Sequence, residues 1–402
     1  MKYLFVTQYF YPEVFRGNEI AFDWAARGDN VTVITAIPNY PAGKFYKGYG
    51  LFRKRKEWIK GVKVIRVPVI TRGKGGAIRL FLNYISFALL GSIYAFFISL
   101  FKRYDGVFAQ QLSPVTMALP AVVAKKLQKC PLYLWVLDLW PESLTSAGDI
   151  HNKCVLYFFE KIVRYIYKNS DKILISSEGF ERSIVKKGAF SHKIIHFPNW
   201  AEEQLTTASS YKCEIPVLPE GFIVMFAGNI GEAQDFENVM KAACLLKDDK
   251  NIKFIILGDG RKKKWVEEFC FQNGLEDSVF CLGRFPLESM SIFFDKADVM
   301  LVSLKDEMIF NLTLPAKIQA YMASAKPIVG MMNGEGSRII KQAQCGLCAK
   351  AASYTDLSVS IRRISKMDKE NLKMLGFNGL NFAKKYYDRG QLLDKLYFEI
   401  LE

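Results

Sequence analysis

The sequence predicts an α/β protein made of two doubly wound, Rossmann-like domains. Its 402 residues exceed what a single hydrophobic core usually supports. Short apolar runs rich in β-branched and aromatic residues alternate with longer helical stretches. The alternation stops at a polar segment near residue 200 and then restarts, which indicates a second domain of similar size.

The first half contains seven predicted strands separated by helices. Several runs are apolar at every position, as expected of parallel strands that are covered on both faces. The predicted strands are 2–7, 30–35, 62–69, 105–109, 131–136, 171–175 and 193–197, and the helices between them include 18–28, 115–128, 151–169 and 178–188. Such parallel strands joined by crossover helices predict a first Rossmann-like domain at 1–200.

A polar stretch rich in Ser and Thr, residues 201–212, is predicted to link the two domains. After it the same alternation returns, with strands at 221–226, 252–257, 278–281, 298–302 and 327–330 and helices at 235–247, 261–273, 286–295 and 315–323. We assign residues 201–384 to the second domain and expect the two domains to face a central cleft.

Residues 80–101 form an apolar run that only Asn83, Gly91 and three serines interrupt. Its length would suffice to cross a bilayer, which takes about 20 apolar residues. The strands predicted on either side of it should, however, belong to one sheet, and a single crossing would put them on opposite sides of the membrane. We therefore expect a buried or interface-lying helix, with a true span as the alternative.

The net charge of +15 is concentrated in the first half of the chain. Residues 1–200 carry 29 Lys and Arg against 13 Asp and Glu, a balance of +16, and the remainder carries 26 against 27, a balance of −1. The densest part is 51–79, with ten basic residues and one acidic. Beside the apolar run, this predicts an anionic membrane surface as a partner. The basic stretch contains no nucleic-acid-reading module, so no nucleic-acid partner is expected.

The cellular location follows from two further features. The eight cysteines are scattered, and the apolar run at the N-terminus is too short for a signal peptide. We expect a cytoplasmic protein attached peripherally to the inner face of the cell membrane.

Three successive strands of the second domain are predicted to end in glycine turns. GNIG contains Gly228, Asn229 and Gly231, GDG begins at Gly258, and LGRFP covers 282–286. Glycine at a strand-to-helix turn lets backbone N–H groups approach a phosphate. One such turn is equally consistent with a plain connection, but three of them at one sheet edge predict a ligand site there.

Two later segments carry candidate ligand-binding side chains. Pro315 suits the first turn of a helix, and Lys317 then lies in that turn, where the helix dipole disfavours a cation by about 0.3–1 kcal/mol. A bound anion would explain this lysine. In NGEG, Glu335 and Gly336 form a turn whose carboxylate could hold ribose hydroxyls, although a turn without function is equally consistent.

The first domain offers loops with aromatic and acidic residues. YFYPEVFRGNE (9–19) holds sugar-stacking aromatics, Glu13 and Gly17, and PNYPAGKFYKGYG (38–50) is predicted to be a lid or acceptor loop. Asp138 and Glu142 follow the strand 131–136, where carboxylates are more often functional than structural. They are our catalytic candidates. No Asp-x-Asp pair suited to hold Mg²⁺ is found, so no metal is expected.

In this order, the motifs resemble family 4 glycosyltransferases of the GT-B fold. The resemblance is carried by YFYPEVFRGNE, IPNYPAGKFYKGYG, LSPVTMALPA, WVLDLWPES, GNIG, LGDG, LGRF and PAKIQAYMASAKPI, and it covers essentially the whole chain. Within the family, the chain is most similar to O-antigen and capsule transferases, which include N-acetyl-L-fucosamine transferases.

The resemblance implies transfer of a hexose, including amino and deoxyamino sugars, from a UDP-linked donor with retention of configuration. It also implies a polyprenyl-diphosphate-linked acceptor, no metal and no cofactor beyond the nucleotide sugar itself. Carried over by position, the backbone near Arg284 and Phe285 would hold the base. The diphosphate would contact Gly17 with Asn18, GNIG, and the helix start at Pro315 and Lys317. The segment 385–402 would cross back to the first domain.

The chain departs from the family pattern at several positions. Two glutamates that family members carry near the donor sugar and ribose are replaced by Leu312 and Ala320. Leu137 stands where many members have histidine, and Glu232 and Gln234 follow the first glycine turn in place of a basic residue. Glu335 is expected to substitute for the ribose contact. Two alternatives to an active transferase stay open: a non-catalytic nucleotide-sugar-binding protein of the same pathway, and a nucleotide-sugar epimerase.

Overall fold

The computed structural model describes residues 1–73, 76–146, 150–201 and 215–401. They divide into two compact units, of which the first comprises Met1–Pro198 and the segment from Leu392 onward, and the second Asn199–Gln391. The observed division lies two residues before the expected one, and the return to the first unit begins at Leu392 rather than at 385. Beyond residue 201, the expected linker lies outside the described residues.

The first unit is built on one eight-stranded sheet. Its strands are β1 (Lys2–Val6), β2 (Asn30–Ala36), β3 (Lys56–Ile59), β4 (Val62–Val67), β5 (Gly106–Gln111), β6 (Leu132–Val136), β7 (Lys172–Ile175) and β8 (Ile194–His196). The strand order is β3-β4-β2-β1-β5-β6-β7-β8, and every pair is parallel except β3 with β4. The expected parallel sheet is therefore confirmed. The edge strand β3 was not expected, because its residues KEWI form no apolar run.

Helices cover this sheet as crossovers between the strands. They are α1 (Arg16–Ala26), α2 (Ala77–Phe101), α3 (Leu119–Gln128), α4 (Glu142–Ser146), α5 (Lys153–Asn169) and α6 (Phe180–Lys186). Short 3₁₀ turns at Val115–Ala118 and Ser191–Lys193 complete the connections.

The second unit contains a parallel six-stranded sheet in the order β11-β10-β9-β12-β13-β14. Its strands are β9 (Phe222–Ala227), β10 (Ile252–Leu257), β11 (Val279–Gly283), β12 (Val299–Ser303), β13 (Ile328–Met331) and β14 (Gly346–Ala349). Its helices are α7 (Phe236–Leu245), α8 (Lys263–Asn273), α9 (Met290–Lys296), α10 (Met308–Leu312), α11 (Ala316–Ala323), α12 (Gly334–Gln342), α13 (Tyr354–Ser365) and α14 (Lys369–Tyr386). The strand β14 and the helices after β13 complete the expected Rossmann-like pattern.

The C-terminal segment packs on the first unit. It consists of α15 (Arg389–Lys395) and a π-helical turn, Leu396–Ile400. Asp394 accepts a hydrogen bond at 2.6 Å from Arg27, the residue after α1, and the carbonyl of Leu401 accepts one from the Tyr133 hydroxyl at 2.7 Å. The end of the chain therefore completes the first unit, as the resemblance implied.

The long apolar helix α2 is a surface helix of the first unit. The strands before and after it, β4 and β5, belong to the same sheet, so a single crossing of a membrane would separate them. The buried Asn83 accepts a hydrogen bond from the Gln8 amide at 2.9 Å, and Gly91 allows close contact with Pro120 of α3. Residues 78–101 are nevertheless long and apolar enough to span a bilayer, and only 28% of an 18-residue window within them is buried, so one face of α2 stays exposed.

Each sheet contains one point where the strand order reverses. In the first unit it lies between β1 and β5, and in the second between β9 and β12. The connections at such a point diverge to opposite faces and leave a crevice at the carboxyl edge of the strands, where ligands of open α/β sheets bind.

We predict that Gly258→Ala strongly destabilises the protein. Gly258 has a φ of +138°, and a Cβ there would lie 1.8 Å from the Gly228 carbonyl oxygen, so backbone would have to move. We expect a loss of about 3 kcal/mol or more in the free energy of unfolding. Gly283→Ala is the control, because Gly283 also has a positive φ, +83°, but its nearest neighbour would be 3.8 Å away. It should lose only about 1 kcal/mol. Denaturant titration of both variants checks this, and equal losses would contradict the close-contact argument.

Candidate functional site

The carboxyl edge of the second sheet is lined by packed backbone turns. The Gly228 N–H donates to the Leu257 carbonyl at 2.9 Å, and the Gly258 N–H donates to the Gly283 carbonyl at 2.7 Å. A Cβ on Gly258 or Gly260 would collide with the turn that follows β9. The three glycine turns expected from the sequence therefore lie side by side, and Gly228 and Asn229 are exposed to solvent.

Helix α11 places Lys317 against the first of these turns. The Tyr321 hydroxyl is within 3.1 Å of both the N–H and the carbonyl oxygen of Ala227, which fixes α11 to the end of β9. Lys317, one helical turn earlier on the same face, has its Nζ 3.7 Å from the centre of the Phe226 ring. A Cβ on Gly228 would lie 2.9 Å from that Nζ. The ammonium thus lies beside the GNIG turn.

The surroundings of Lys317 disfavour its charge. Burial lowers its pKa to about 7, and no carboxylate contributes to that value. Among the described residues, we find no hydrogen-bond or ion-pair partner for the ammonium. It lies over the face of the Phe226 ring in a cation–π contact. An anion bound beside GNIG would supply the missing counter-charge.

The first turns of α11 and α12 adjoin at the same edge. A Cβ on Gly336 would lie 3.1 Å from Ile318 and 3.4 Å from Pro315, so the absence of a side chain allows this approach. Both helix starts direct backbone N–H groups and a partial positive charge towards this edge. Glu335, in the first turn of α12, pairs with Arg338 at 2.7 Å. A ribose would have to share that carboxylate with the guanidinium.

The sequence reasoning missed a polar network after β12. The Asp306 carboxylate accepts hydrogen bonds from the amides of Asn311 and Asn333, both at 3.0 Å, and these bonds lower its pKa. They tie the loop after β12 to the start of α12. The only sequence signal is a short polar stretch after a buried strand, which many loops share.

Glu232, which stands where the family usually has a basic residue, lies close to two lysine side chains. Its carboxylate lies 3.4 Å from Lys262 Nζ and 3.4 Å from Lys305 Nζ. The loop after β12 is also held at the GNIG connection, because the Lys305 N–H donates to the Ala233 carbonyl at 3.0 Å. Lys262 also pairs with Glu237 at 2.9 Å, so these ion pairs connect the GNIG turn to two distant segments without leaving a net positive charge.

The remaining residues expected in the second domain occupy simpler surroundings. Arg284 is exposed, and Phe285 packs on Phe293 with the ring centres 4.6 Å apart. Ala320 is buried in the core of the unit, and Leu312, at the end of α10, is partly buried. No side chain at these two positions can replace the missing carboxylates.

In the first unit, Gly17 and Asn18 shape the turn between β1 and α1. A Cβ on Gly17 would lie 2.0 Å from the Gln110 side-chain oxygen, so glycine lets α1 start close to β5. The Asn18 amide donates to the Glu13 carbonyl at 2.7 Å, and its oxygen accepts the Tyr11 N–H at 3.2 Å. Asn18 thus stabilises its own loop. A diphosphate would therefore have to contact the backbone at the start of α1.

Glu13 connects its own loop, 9–19, to the loop 38–50, which the sequence predicted to be a lid or acceptor loop. Its Oε1 accepts the N–H groups of Asn39 and Tyr40, at 2.8 and 2.6 Å, whereas its buried Oε2 has no hydrogen-bond partner. Burial raises its pKa to about 7 against the opposing effect of the backbone hydrogen bonds. A protonated carboxyl is therefore favoured at mildly acidic pH.

Asp138 lies at the end of β6, where the sequence reasoning placed it. Its carboxylate accepts hydrogen bonds from the Trp140 indole at 3.1 Å and from the Ser143 hydroxyl. Burial raises its pKa although these bonds and those from Ser113 and the Leu139 N–H oppose the rise. The carboxyl group is thus rigidly held.

Glu142 is engaged differently. It forms an ion pair with Lys187 and accepts a hydrogen bond from the Ser183 hydroxyl, both on or next to α6. Burial would raise its pKa, but Lys187 and Ser183 outweigh burial and lower the pKa. This environment suits a residue that fixes α4 to α6.

An aromatic cluster around Arg72 is a second feature that the sequence reasoning missed. The guanidinium carbon lies 5.0 Å from the ring centre of Tyr40, 5.9 Å from that of Tyr84 and 6.0 Å from that of Tyr9. Tyr84 comes from α2, and Asp138 contributes to raising its pKa, after burial. Tyr9 is buried, whereas Tyr40 is exposed and Tyr84 partly buried, so the open side of the cluster combines the Tyr40 ring with a cation. Its members are distant in sequence, so no motif marks it.

The sequence predicts no metal site, and a metal ion would need several ligating side chains close together. In the part of the chain that the structure describes, no group of three or more His, Cys, Asp or Glu residues could hold a metal ion.

Comparison with known families decides the classification. Residues 18–200 match the family model of glycosyl transferase 4-like domains, and residues 214–380 match that of glycosyl transferases group 1. The chain belongs to family 4 of the glycosyltransferases.

Curated relatives of this glycosyltransferase are distant. The chain is 28% identical to glycosyltransferase WbjE of Pseudomonas aeruginosa over 60% of its length, and 27% identical to the colanic acid biosynthesis glycosyl transferase WcaI of Escherichia coli over 66%. The matched regions span 62% and 66% of these relatives, just under two thirds.

Solved structures show the same GT-B fold over the whole length. Sucrose-phosphate synthase of Thermosynechococcus elongatus superimposes with a TM-score of 0.71 at 15% identity, covering 99% of this chain and 98% of its own. HepE of Anabaena, solved in complex with UDP, gives 0.68 at 12% identity and covers 100% and 99%. WaaG, a glycosyltransferase of lipopolysaccharide biosynthesis, gives 0.65 at 13% identity and covers 98% and 99%.

We predict that Glu13→Gln removes a pH dependence of stability. The folded-state pKa, about 7, exceeds the ordinary 4.5, so the folded protein binds this proton more tightly than the unfolded chain. Wild-type stability should therefore fall as the pH rises from about 4.5 to about 7, by up to about 3 kcal/mol. Glu13→Gln should not show this loss. Urea titrations at pH 5, 6, 7 and 8 measure it, with the exposed Glu181→Gln as control. Parallel curves for wild type and Glu13→Gln would rule out the raised pKa.

Proposed function

We propose that the protein transfers a sugar from a UDP-linked donor to a polyprenyl-diphosphate-linked saccharide during surface polysaccharide synthesis. The transfer would proceed with retention and without a metal, and the sugar would be a hexose, including amino and deoxyamino hexoses. The observation that carries this proposal is Lys317, a partly buried lysine without a counter-charge beside the exposed GNIG turn.

The second unit offers what a leaving diphosphate needs. During transfer, negative charge grows on the diphosphate, and preorganised N–H groups and cations aimed at it stabilise the transition state. The turn at Gly228–Gly231, the starts of α11 and α12, and Lys317 supply such groups at one edge. Two structural neighbours support a UDP-linked donor, since HepE was solved with UDP and with UDP-glucose.

The first unit offers groups suited to an acceptor. The cluster around Arg72 combines the exposed Tyr40 ring, on which a saccharide could stack, with a cation for the diphosphate. The name of the relative WcaI, which refers to colanic acid, supports a role in surface polysaccharide synthesis.

The two acidic candidates take different roles in this proposal. Asp138, rigidly held at the strand end, orients the acceptor or the donor sugar during transfer. Glu142, neutralised by Lys187, holds the loop that carries Asp138. We therefore retain Asp138 as the catalytic candidate and treat Glu142 as a positioning residue.

Attachment to an anionic membrane fits a lipid-borne acceptor. The exposed face of α2 carries large apolar side chains, among them Leu89, Phe97 and Phe101. Such a face can lie in the headgroup region of a bilayer while basic residues contact anionic lipids. This would place the protein at the inner face of the cell membrane.

We predict that UDP binding takes up a proton through Lys317. Bound diphosphate should raise the pKa of this lysine from about 7 towards 10.5, so at pH 8 close to one proton should be taken up. Affinity should fall as the pH rises from 7 to 10. Calorimetry in two buffers of different ionisation enthalpy, with EDTA present throughout, measures both the uptake and the metal independence.

The variant Lys317→Gln should abolish the uptake and weaken UDP binding at least tenfold, because a charge-assisted contact is lost. The exposed Lys341→Gln, one helix away, is the control and should bind like wild type. Unchanged affinity in Lys317→Gln, or binding that requires Mg²⁺, would refute the assigned donor site.

Asp138→Asn tests the transfer itself. We expect nearly unchanged UDP affinity and a loss of rate on the order of 10² or more, as for removal of a positioned acid–base or electrostatic group. Ser143→Ala keeps the carboxylate and removes one of its donors, so its turnover should stay within about tenfold of wild type. Radiolabelled sugar transfer to a membrane extract measures the rates. UDP binding without any turnover in the wild-type protein would instead identify a non-catalytic binder.

Leu89→Glu should weaken binding to anionic vesicles, because it puts a charge in the exposed apolar face of α2. Val359→Glu in the second unit is a matched control, since the two side chains are 61% and 62% exposed. Vesicle flotation at low and high salt measures binding, which should also weaken with salt. Wild-type protein that is released only by detergent would contradict peripheral attachment.

A further inference from the structure

Three lysines converge at the C-terminal end of α2. Lys102 is the first residue after the helix, and its side chain meets that of Lys63 on β4, with Lys56 of β3 nearby. In the β3–β4 pair, Lys63 stands opposite Trp58, and Lys56 precedes Trp58 by two residues. Opposed and alternate residues share a face, so Lys56, Trp58 and Lys63 lie on one side of the hairpin. We call Lys56, Lys63 and Lys102 the lysine cluster.

Among the described residues, the lysine cluster has no acidic partner. Burial, followed by the neighbouring ammonium groups of Lys63 and Lys56, lowers the pKa of Lys102, and no carboxylate opposes this effect. In the described part of the chain, none of the three lysines forms an ion pair. The negative end of the α2 dipole could account for one cation but not for three that repel each other. Lys56 and Lys102 are exposed, so the cluster presents its unbalanced positive charge to solvent, where an anionic partner can reach it.

The surroundings of the lysine cluster indicate the kind of anion. Trp58 is 66% exposed and Phe101, directly before Lys102, is 84% exposed. Exposed aromatic side chains beside lysines are typical of surfaces that lie in the headgroup region of a membrane, where the rings enter the interface and the ammonium groups meet phosphates. A free phosphate would gain nothing from these rings.

The position of the lysine cluster separates it from the acceptor site. The candidate residues Arg72 and Tyr84 lie near the start of α2, beyond the carboxyl ends of the strands, whereas Lys102 precedes β5 at the opposite edge of the sheet. With 25 residues, α2 is about 37 Å long. A diphosphate held by the tyrosine cluster could not reach the lysines at the other end.

We propose that Lys56, Lys63 and Lys102 form a binding site for the phosphate of anionic membrane lipids, which fixes the C-terminal end of α2 to the bilayer surface. This deepens the membrane attachment in the proposed function and rests on it. It assigns to α2 two ends with different tasks: one contributes Tyr84 to the candidate acceptor site, and the other holds the unit on the membrane.

The test uses the full chain with all three lysines changed to glutamine. The charge-matched control changes Lys366, Lys369 and Lys373 to glutamine, three exposed residues of the second unit. Flotation is measured with phosphatidylcholine vesicles that contain or lack phosphatidylglycerol. Each basic residue near an anionic surface contributes about fivefold to partitioning, so the lysine-cluster variant should bind anionic vesicles on the order of 100-fold more weakly. The control should lose less than about fivefold, since its lysines lie outside the cluster.

Equal losses in the two triple variants would overturn the proposal, because the effect would then be one of net charge. Displacement of the wild-type protein by millimolar inorganic diphosphate at constant ionic strength would also overturn it in favour of a soluble anion. The single variant Lys102→Gln, at an exposed position, repeats the test if the triple variant does not fold. UDP titration of the same variants should be unchanged. A wrong assignment of the donor site would be seen in the UDP titrations, whereas a wrong assignment of the lysine cluster would be seen only in the vesicle flotation.

Discussion

The close approach of chain segments at the carboxyl edge of each sheet determines where chemistry is possible in this protein. In the second unit, the Gly258 turn lies so near the Gly228 carbonyl that a Cβ would come within 1.8 Å of it. In the first unit, α1 starts so near β5 that a Cβ on Gly17 would lie 2.0 Å from the Gln110 side chain. Both contacts lie at the carboxyl edge of a parallel sheet, where ligands of open α/β sheets bind, so glycine brings N–H groups, rather than side chains, to that edge.

The electrostatics of the second unit follow from this packing. Because the β9–α7 turn presents backbone and no bulky side chain, the side chain of Lys317 can lie against it, and burial lowers the pKa of this lysine to about 7. Burying an amine without a partner costs free energy. A purely structural role would not explain a lysine at such a position, whereas a role in ligand binding would. Lys262 and Lys305 are paired with Glu232 and Glu237, so Lys317 is the cation at this edge for which the described residues supply no carboxylate. The site thus has a surplus of cationic and N–H groups that suits a diphosphate.

Helix α2 joins the two surfaces of the first unit. Its buried face carries Asn83, which bonds to Gln8 beyond β1, and Tyr84, which joins the cluster around Arg72. Its exposed face carries the large apolar residues, and its end meets the lysine cluster. Under the proposed function, the same helix would hold the unit at the bilayer and bring the aromatic cluster to a saccharide carried on a membrane lipid. The sequence of α2 is apolar on nearly every face, and packing against the unit buries one face and leaves the other exposed. This difference between the two faces makes the arrangement possible.

The sequence by itself determined the two parallel sheets, the glycine turns and the placement of Lys317 and Asp138 at strand or helix ends, because apolar runs, glycine and proline act locally. It could not identify the cluster of Arg72 with Tyr9, Tyr40 and Tyr84, or the lysine cluster, because their members come from segments far apart that only the crossover topology brings together. Nor could it distinguish Glu142 from Asp138, since two carboxylates four residues apart look alike until Lys187 is seen to neutralise one of them. Local pattern fixed the elements, and tertiary packing decided which charges were paired and which were left for a ligand.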